Sequence, residues 1–446
     1  MPEILRGTRL VIARHAQAIL CALGLYALTA CAAPQAFAHS PSTTATFAAA
    51  QVPTPTPSLT PTPAPPAINV WFPALFAYEA ELFTAQHFSE LLQEYTRQTG
   101  QVVNLRLRRA DGLGGIFETL SSAAQVAPSV LPDLALLRAR DLPRAAAAKL
   151  IVPIGVELLP QEAYFATALN LARYDGDFYG IPYLLELQHA VYRGEAPPPL
   201  AWQTLISRQL PYLFPAKVSY GANSTLLSHY ATLGGQFSDQ NGDPLLDYDP
   251  LLTVLNVYAE ARAAGSLPAE VLDYAEPMQY WATFTAGKNV LVQVDSTFFL
   301  RQRAASEPAE ASAWQFSPLP QISSEKPPLS MVDGWLWTLT TADPERQKRA
   351  LALIEWLQAP KRFAEFSQRV GLLPAQRAAL SAWSEPDYAA FAATLLDRNL
   401  APLPDLVNST VAEALQESFA RLLKGELSSE AAANAALDRV RVARGR

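Results

Sequence analysis

The order of the first predicted elements limits the fold of this chain more than any other feature. Residues Ile68–Phe72 (INVWF) form a predicted strand that ends at Pro73. A helix ending at Gly100 follows, because apolar side chains recur at the i, i+3, i+4, i+7 spacing: Phe88, Leu91, Leu92 and Tyr95. Apolar and polar residues then alternate from Val103 to Leu107, which predicts a half-exposed strand. A strand, a helix and a strand within about forty residues form a right-handed βαβ unit, so we expect an α/β fold with a largely parallel sheet.

The stretch Tyr174–Tyr192 (YDGDFYGIPYLLELQHAVY) combines a turn signal with residues that can meet a polar ligand. Asp175-Gly176 predicts a tight hairpin turn between apolar or aromatic residues. Pro182 has no N–H to donate to a strand ladder, so we expect it to interrupt the outgoing strand and to leave irregular backbone after it. The polar groups along this edge are those of Tyr179, Tyr183 and Glu186. A surface hairpin with a buried tyrosine face is an equally consistent interpretation.

The size and charge of the chain exclude some functions. At 446 residues, with 50% hydrophobic and 17% charged residues, it exceeds one ordinary core and predicts two domains or lobes. The formal net charge is -7, although Arg6, Arg9 and Arg14 lie within residues 1–30. A nucleic-acid partner needs clustered Lys and Arg, so none is expected.

Residues 1–30 have the pattern of an export signal, with a basic start and an apolar run from Ala16 to Ala30 that is short for a permanent membrane span. The run ends in Leu28-Thr29-Ala30-Cys31, which resembles the lipobox of bacterial lipoproteins. In that motif the cysteine is diacylated and the signal is cut just before it. We therefore expect Cys31 to carry lipid and to hold the protein on the outer face of the cell membrane. The alternative is an ordinary signal peptide with a chance cysteine.

The cysteine count and the segment after Cys31 agree with an anchored, exported protein. The chain has 2 Cys, Cys21 and Cys31, so the domain after them has no disulfide and no thiol for catalysis or for zinc. Residues 31–67 are rich in Ala, Ser, Thr and Pro and lack the apolar side chains that stabilise a core. We expect a disordered or polyproline II tether.

Further elements are predicted along the folded part. Residues Pro132–Leu137 and Val290–Val294 form predicted buried strands, and the second ends at Asp295. Met331 to Thr340 predicts a Trp-rich strand pair. Asp343 caps a predicted helix, and from residue 360 the pattern is almost wholly helical.

Several catalytic and cofactor motifs are absent. Gly112-Leu113-Gly114-Gly115 is not a dinucleotide motif, because its third glycine would fall at Phe117 and it does not follow the first strand. The 5 His residues show no metal-ligand spacing, and no G-x-S-x-G elbow is present. We therefore expect no cofactor, no metal site and no enzyme activity.

The succession of landmarks resembles that of the extracellular solute-binding proteins of bacterial ABC importers, in the large family that includes maltose-binding protein. The resemblance covers Ile68 to Val440, and it lies in the order of the motifs INVWFP, RQTG, QVVNL, PDLA, DGDFYGIP, FTAGKNVLV, FSPLP, DGWLWTL, RALALIEWL, GLLPA and LSSEAAANAALDRV. It implies a receptor that takes up a small polar solute, most often a sugar, and delivers it to ABC permease subunits without changing it.

The resemblance also implies a two-lobed periplasmic-binding-protein fold of type II. Each lobe would have a mixed, mostly parallel sheet flanked by helices, with the ligand cleft at the hinge. We expect crossings near Leu185–Ala190, Ser306–Phe316 and Leu357–Phe366. Residues 68–185 with 312–358 would then form the first lobe, and residues 186–311 with 359–446 the second. The chain is expected to be a monomer.

Positions that match the family's cleft give a set of candidate ligand-binding residues. They are Phe72, Ala74, Asp133, Tyr183, Glu186, Asp295, Thr297, Phe298, Asp333, Gly334, Trp335 and Asn408. For Asp133, a capping role beside Pro132 is the alternative. Aromatic side chains would stack on sugar rings, and carboxylates and amides would bind hydroxyl groups. The stretch Asp295–Phe298 lacks the family's usual Trp and Asp333 replaces a glycine, which argues against a plain maltooligosaccharide.

Two other functions compete with the receptor hypothesis. A secreted hydrolase would use a carboxylate pair, such as Glu186 with Asp295 or Asp333. A surface module with a degenerate cleft would bind a protein partner instead of a solute.

Overall fold

The computed structural model describes residues 66–78, 83–193, 201–219, 221–287, 289–323, 332–398 and 409–445. These residues lie in one compact unit, Ala64–Arg446. Cys31, residues 1–65 and Asn408 lie outside the described residues, so the predictions on the export signal, the lipid and the tether are not tested by the structure. No helix in the described ranges is long and apolar enough to span a membrane.

The strands follow the predicted order closely. They are β1 (Ile68–Pro73), β2 (Val103–Arg108), β3 (Leu134–Arg138), β4 (Arg173–Tyr174), β5 (Asp177–Phe178), β6 (Ile181–Arg193), β7 (Tyr212–Leu213), β8 (Leu291–Asp295), β9 (Trp314–Ser317), β10 (Val332–Leu339) and β11 (Leu373–Pro374).

Helices connect and cover the strands. They are α1 (Leu75–Tyr78), α2 (Phe83–Thr99), α3 (Ile116–Val126), α4 (Leu142–Ala147), α5 (Ala166–Leu171), α6 (Trp202–Arg208), α7 (Ser224–Thr232), α8 (Tyr248–Ala263), α9 (Met278–Thr285), α10 (Ser296–Ala305), α11 (Pro308–Ser312), α12 (Pro344–Leu357), α13 (Pro360–Val370), α14 (Arg377–Ser381), α15 (Pro386–Leu396), α16 (Thr410–Lys424) and α17 (Ser429–Arg444).

The predicted βαβ unit is confirmed. β1 pairs in parallel with β2 on one side and with β3 on the other, and Gly100 ends α2 in the left-handed region at φ 73°. The main sheet has the strand order β2-β1-β3-β10-β6-β8-β7. It is mixed, as expected, but every pairing that involves β6 or β10 is antiparallel, so parallel pairs do not dominate.

β6 is the strand that the two halves of the sheet share. Up to Leu187 it pairs with β10, and from Gln188 onward it pairs with β8 and then with β9. We call β1, β2, β3, β10 and β11 the first half and β7, β8 and β9 the second half. The predicted crossing near Leu185–Ala190 coincides with this change of partners.

The prediction for Pro182 was wrong. The Asp175-Gly176 turn is confirmed, with φ 49° and 88° between β4 and β5, but the backbone after Pro182 is a long strand and not an irregular segment. The register between β10 and β6 shifts between Trp335 and Leu336, where Leu336 faces Pro182. The extra residue at this shift is Tyr183, so β6 itself bulges next to the residue that has no N–H to donate.

Other predicted boundaries are corrected by packing. Where the sequence predicted a strand pair from Met331 to Thr340, the described residues form one strand, β10 (Val332–Leu339). β9 pairs with the second half of β6, so the return to the first half comes after Ser317 and not at residue 312. α13 also belongs with the first half, because Phe363 stacks on Tyr183 at 4.7 Å between ring centroids. The next change of side lies between Val370 and Tyr388, whose ring contacts Phe316.

Close packing between β10 and β6 depends on Gly334. A methyl group at this position would lie 2.9 Å from the carbonyl oxygen of Leu184 and 3.0 Å from Leu185 Cδ2. Since the first of these atoms is backbone, it cannot turn away. Gly334 is therefore explained by strand packing, and not by the ligand contact expected from the sequence.

We predict that Gly334→Ala lowers the free energy of unfolding by about 1–3 kcal/mol, because overpacking a sheet forces the strands apart. Urea unfolding of residues 66–446 measures the effect. Gly445→Ala is the matched control, since its methyl group would meet no atom closer than 3.8 Å. Equal stability of the two variants would contradict this account of Gly334.

Candidate functional site

A cleft lies where the two halves of the sheet meet. Its volume is about 940 Å³, near the upper end of the roughly 300–1,000 Å³ of small-molecule sites. The first half contributes residues that follow β1 and β2 and the last residue of β3: Ala74, Leu75, Phe76, Arg109, Ala110, Asp111 and Arg138. The second half contributes the start of α9 and one face of α10: Glu276, Pro277, Met278, Asp295, Thr297, Phe298, Arg301 and Gln302. Carboxyl ends of parallel strands are a common position for ligands in α/β sheets.

Two carboxyl groups meet in the cleft. In the ladder between β6 and β8, Gln188 is opposite Asp295, and Glu186 lies two residues earlier on the same face of β6. The carboxyl groups of Glu186 and Asp295 are close enough for each to shift the pKa of the other. One proton shared by the pair removes the repulsion between two charged acids.

Burial raises the pKa of both acids. The pKa of Glu186 rises to about 7, first through desolvation and then through the negative charge of Asp295. The pKa of Asp295 is also raised by desolvation, although its Oδ1 accepts a hydrogen bond from Phe298 N at 2.6 Å and so caps α10. The pair therefore holds its proton near neutral pH and can accept hydrogen bonds while carrying one negative charge.

A guanidinium group lies near each acid without contacting it. Arg138 lowers the pKa of Glu186, and Arg301 lowers that of Asp295. Among the described residues, neither arginine forms an ion pair with either acid. Arg138 is held by Asp333 at 3.0 Å, and Arg301 has no ion pair within the described ranges. The cleft therefore contains hydrogen-bond donors and acceptors separated by open space.

Aromatic rings form the apolar part of the wall. Trp335 contacts Phe76 edge-on at 4.9 Å and lies under the Arg138 guanidinium, also at 4.9 Å. Phe298 packs edge-on against Trp281 at 5.1 Å. These contacts fix the orientation of both cleft-lining rings, so they present surface without first having to be ordered.

Six of the residues expected from the sequence line this cleft: Ala74, Glu186, Asp295, Thr297, Phe298 and Trp335. Asp333 does not line the cleft. It holds a residue that does, because its Oδ2 accepts a hydrogen bond from Arg138 Nη1. The thirteen-residue strand β6 brings Glu186 to the cleft, whereas Thr297 and Phe298 arrive on the first turn of α10.

Three expected positions lie elsewhere. Phe72 is buried and stacks on Phe88 at 4.0 Å, and Tyr183 is buried against Phe363, because each points to the core side of its strand. Asp133 precedes β3 and so lies at the amino ends of the parallel strands, away from the cleft. Its carboxylate accepts hydrogen bonds from Asn69 N at 2.7 Å and from Arg346 Nε at 2.5 Å, so it links β1 to α12. These contacts are structural, but they are not the helix cap considered as the alternative.

Twelve of the eighteen residues that line the cleft were not expected from the sequence, among them Phe76, Arg138, Arg301 and Gln302. A signal existed for two of them. Phe298, Arg301 and Gln302 follow one another at the i, i+3, i+4 spacing, which places them on one helical face once Asp295 is taken as the N-cap. Arg138 ends a strand, but nothing in its neighbours distinguishes it from a surface arginine.

The chain matches the family model described as bacterial extracellular solute-binding protein over residues 90–393. It is 23% identical over 253 residues to a probable amino-acid ABC transporter periplasmic-binding protein, y4oP, of Sinorhizobium fredii; the match covers 52% of this chain and 55% of the relative. The chain thus spans about half the length of this curated relative.

Solved structures show the same fold. The sugar-binding protein MalE from Xanthomonas citri is similar with a TM-score of 0.67 and 18% identity, over 85% of this chain and 98% of that chain. Maltose-bound MalE3 from T. maritima is similar with a TM-score of 0.62 and 15% identity, over 84% of this chain and 99% of that chain. The expected two-lobed α/β fold is thereby confirmed.

The raised pKa of Glu186 gives the free protein a defined pH dependence. Because the fold favours the protonated acid, this contribution to stability is complete below the ordinary glutamate pKa and is lost as pH rises through about 7. The Glu186→Gln variant has no ionisable group at this position, so it does not lose this stability as pH rises. We predict that the variant gains about 1–2 kcal/mol of stability relative to the native chain between about pH 5 and about pH 8.

Urea unfolding in the absence of ligand at the two pH values measures this difference. The control is Glu260→Gln, which changes an exposed glutamate on α8 outside the cleft. Its stability difference from the native chain should be the same at both pH values. A pH-independent effect of Glu186→Gln would show that the two cleft acids do not share a proton.

Proposed function

This chain belongs to the bacterial extracellular solute-binding proteins, and we propose that it captures a sugar or oligosaccharide in its cleft and delivers it to the permease of an ABC importer. The observation that carries the proposal is that Glu186, Asp295, Arg138 and Arg301 line one cleft, while neither arginine forms an ion pair with either acid among the described residues. A hydroxyl group both donates and accepts hydrogen bonds, so it can bridge an acid and a guanidinium that do not contact each other.

The ring-lined wall supports a carbohydrate as the solute. Sugar rings have apolar C–H faces, and Trp335, Phe76 and Phe298 offer surfaces on which such faces can lie. Among similar structures, one from Xanthomonas citri is named a sugar-binding protein and one from T. maritima holds maltose. The curated relative is named as a probable amino-acid binding protein of an ABC transporter. This cleft, however, contains three arginines and four acids. Such a set suits the many hydroxyl groups of a sugar better than the single ammonium and single carboxylate of an amino acid.

Uptake would require closure of the two lobes around the solute. We place the first lobe on the first half of the sheet with α12 and α13, and the second lobe on the second half with α16 and α17. Solute that contacts Arg138 on one side and Arg301 on the other binds the closed form more tightly than the open form. That difference in affinity shifts the population toward closure, and the closed form then docks on the permease.

A hydrolase is a weaker explanation of the same acids. Glycosidases place their two carboxyl groups about 5–9.5 Å apart, because the glycosidic bond, and in inverting enzymes a water molecule, must fit between them. Glu186 and Asp295 are instead diagonal neighbours on paired strands and share one proton, an arrangement that suits the binding of hydroxyl groups.

We predict that a thermal-shift screen of residues 66–446 against neutral mono- and oligosaccharides, polyols and amino acids finds a sugar as ligand. At about 100 times its dissociation constant the ligand adds about 2.7 kcal/mol of stability and is recovered unchanged. Asp295→Asn keeps an oxygen for the cap of α10 but alters the acid pair, so affinity should fall at least about tenfold. Trp335→Ala should remove the ring surface and weaken binding similarly.

The control for Asp295→Asn is Asp343→Asn. Asp343 caps α12 by accepting hydrogen bonds from Glu345 N and Arg346 N, and it lies outside the cleft. Its variant should bind as the native chain does. Chemical conversion of the sugar would favour the hydrolase. Tighter binding of amino acids than of sugars would show that the solute is an amino acid. Binding of none of the compounds would favour a protein-binding module.

Anchoring is proposed from the sequence before the described residues. Cys31 after Leu28-Thr29-Ala30 would carry the lipid that keeps the receptor on the outer face of the membrane beside its permease. We predict that Cys31→Ala releases the protein from the membrane fraction into the medium, measured by immunoblot of the two fractions. Retention of the variant on cells would argue against the lipid, and Cys21→Ala serves as the control because Cys21 lies inside the removed signal.

A further inference from the structure

A second chamber opens beside the cleft. Its volume is about 420 Å³, and it shares Glu276, Pro277 and Asp295 with the main cleft. Its other walls come from the second half: Gln188, Pro215, Lys217, Val218, Ala222, Asn223, Ser224, Ala275, Gln293 and Val294. A solute bound at the acid pair can therefore extend one substituent or one ring into this chamber.

A buried hydrogen-bond network fixes the orientation of the Gln293 amide in the wall of the second chamber. Gln293 is 1% exposed, and its Oε1 accepts hydrogen bonds from Tyr212 Oη at 2.5 Å and Thr225 Oγ1 at 2.9 Å. Both hydroxyl groups are buried and need an acceptor, so this end of the Gln293 amide must be its oxygen. Its Nε2 then donates to Gln188 Oε1 at 2.5 Å.

The network leaves Gln188 as an oriented donor. Since its Oε1 is used by Gln293, its NH₂ group points away from that contact, and within the described ranges it donates to no other protein group. Gln188 was not among the residues expected from the sequence. It lies opposite Asp295 in the ladder between β6 and β8, so a donor and an acid stand side by side at the entrance of the chamber.

The remaining wall is small and apolar. Val218, Ala222, Ala275 and Val294 surround the space beyond this donor and acid. The chamber thus offers a hydrogen-bond donor, a hydrogen-bond acceptor and an apolar surface in one place. An acetamido group has the complementary set, namely a carbonyl oxygen, an N–H and a methyl group.

We propose that the second chamber binds the acetamido group of an N-acetylated amino sugar, with the carbonyl oxygen accepting from Gln188 Nε2, the N–H donating to Asp295 and the methyl group against Val218 and Ala222. The proposal rests on the proposed sugar-binding function and names the class of sugar. A hydroxyl group in place of the acetamido group leaves the apolar wall unfilled and one hydrogen bond unmade.

Charge argues against a carboxylate of similar size. A carboxylate on the sugar would face Glu276 and Asp295, with the exposed Lys217 as the one cation in the wall, so it would lose hydration without a matched partner. An ammonium group would meet the two acids, but it has no acceptor for Gln188 Nε2 and no methyl group for Val218 and Ala222. The acetamido group supplies both and carries no charge.

Matched sugars test the proposal by calorimetric titration. The probes are glucose, glucosamine, N-acetylglucosamine and glucuronate, with cellobiose, chitobiose and N,N′-diacetylchitobiose as the corresponding disaccharides. We expect the N-acetylated member of each set to bind at least about tenfold more tightly than its hydroxyl counterpart. Gln188→Glu and Gln188→Met should bring the affinities for the N-acetylated and hydroxyl sugars within about threefold of each other, because both variants lose the amide donor. The ratio is taken within each variant, so a general change in affinity does not imitate the effect.

The control is Gln315→Glu, the same exchange at an exposed position of β9 outside both cavities. It should keep the preference, and circular dichroism melting establishes that each variant is folded. Equal or tighter binding of a hydroxyl, ammonium or carboxylate sugar overturns the acetamido proposal and leaves the sugar receptor standing. A preference that persists in both Gln188 variants also overturns it, and failure of every sugar to bind overturns the proposed function with it.

Discussion

One strand, β6, determines how the rest of the molecule is arranged. Its first residues hydrogen-bond to β10, and its last residues hydrogen-bond to β8 and β9, so two halves of a sheet grow from a single backbone. At the change of partners, Leu187 N donates to Ser296 Oγ at 3.1 Å instead of to a strand carbonyl. A side chain satisfies the backbone where the ladder is interrupted, so the strand can twist there without leaving a buried N–H unpaired.

The cleft chemistry follows from that strand. Glu186 and Gln188 alternate with buried neighbours, so both point to the face on which the halves meet. Register with β8 then sets Asp295 beside them. Two acids in one partly buried place would repel each other if both were charged, and sharing one proton avoids this cost. The desolvated acids of the free cleft still offer acceptor oxygens, which hydrogen-bond donors of a ligand can satisfy.

Much of the fold could be predicted from local pattern, whereas the site could be predicted only in part. The βαβ order near β1, the Asp175-Gly176 turn and the helix cap at Asp343 depend on neighbouring residues and could be predicted from them. The contact of Glu186 with Asp295 depends on the register of two strands that are distant in the chain, which no local pattern contains. Phe72 and Tyr183 were misplaced because an aromatic residue on a strand can face either the core or the cleft.

On the side of the sheet junction opposite the cleft, hydrogen bonds of Gln358 hold the start of β6 in place. Gln358 follows α12, its Nε2 donates to Pro182 O at 2.7 Å, and its Oε1 accepts from Tyr164 Oη at 2.7 Å. Buried, satisfied amide contacts of this kind resist displacement, because breaking them leaves polar atoms without partners. They hold the start of β6 against the helices of the first half. In the closure proposed above, bending of β6 near Leu187 would bring Arg301 toward Arg138, while Glu186 would stay with the strand that these contacts hold.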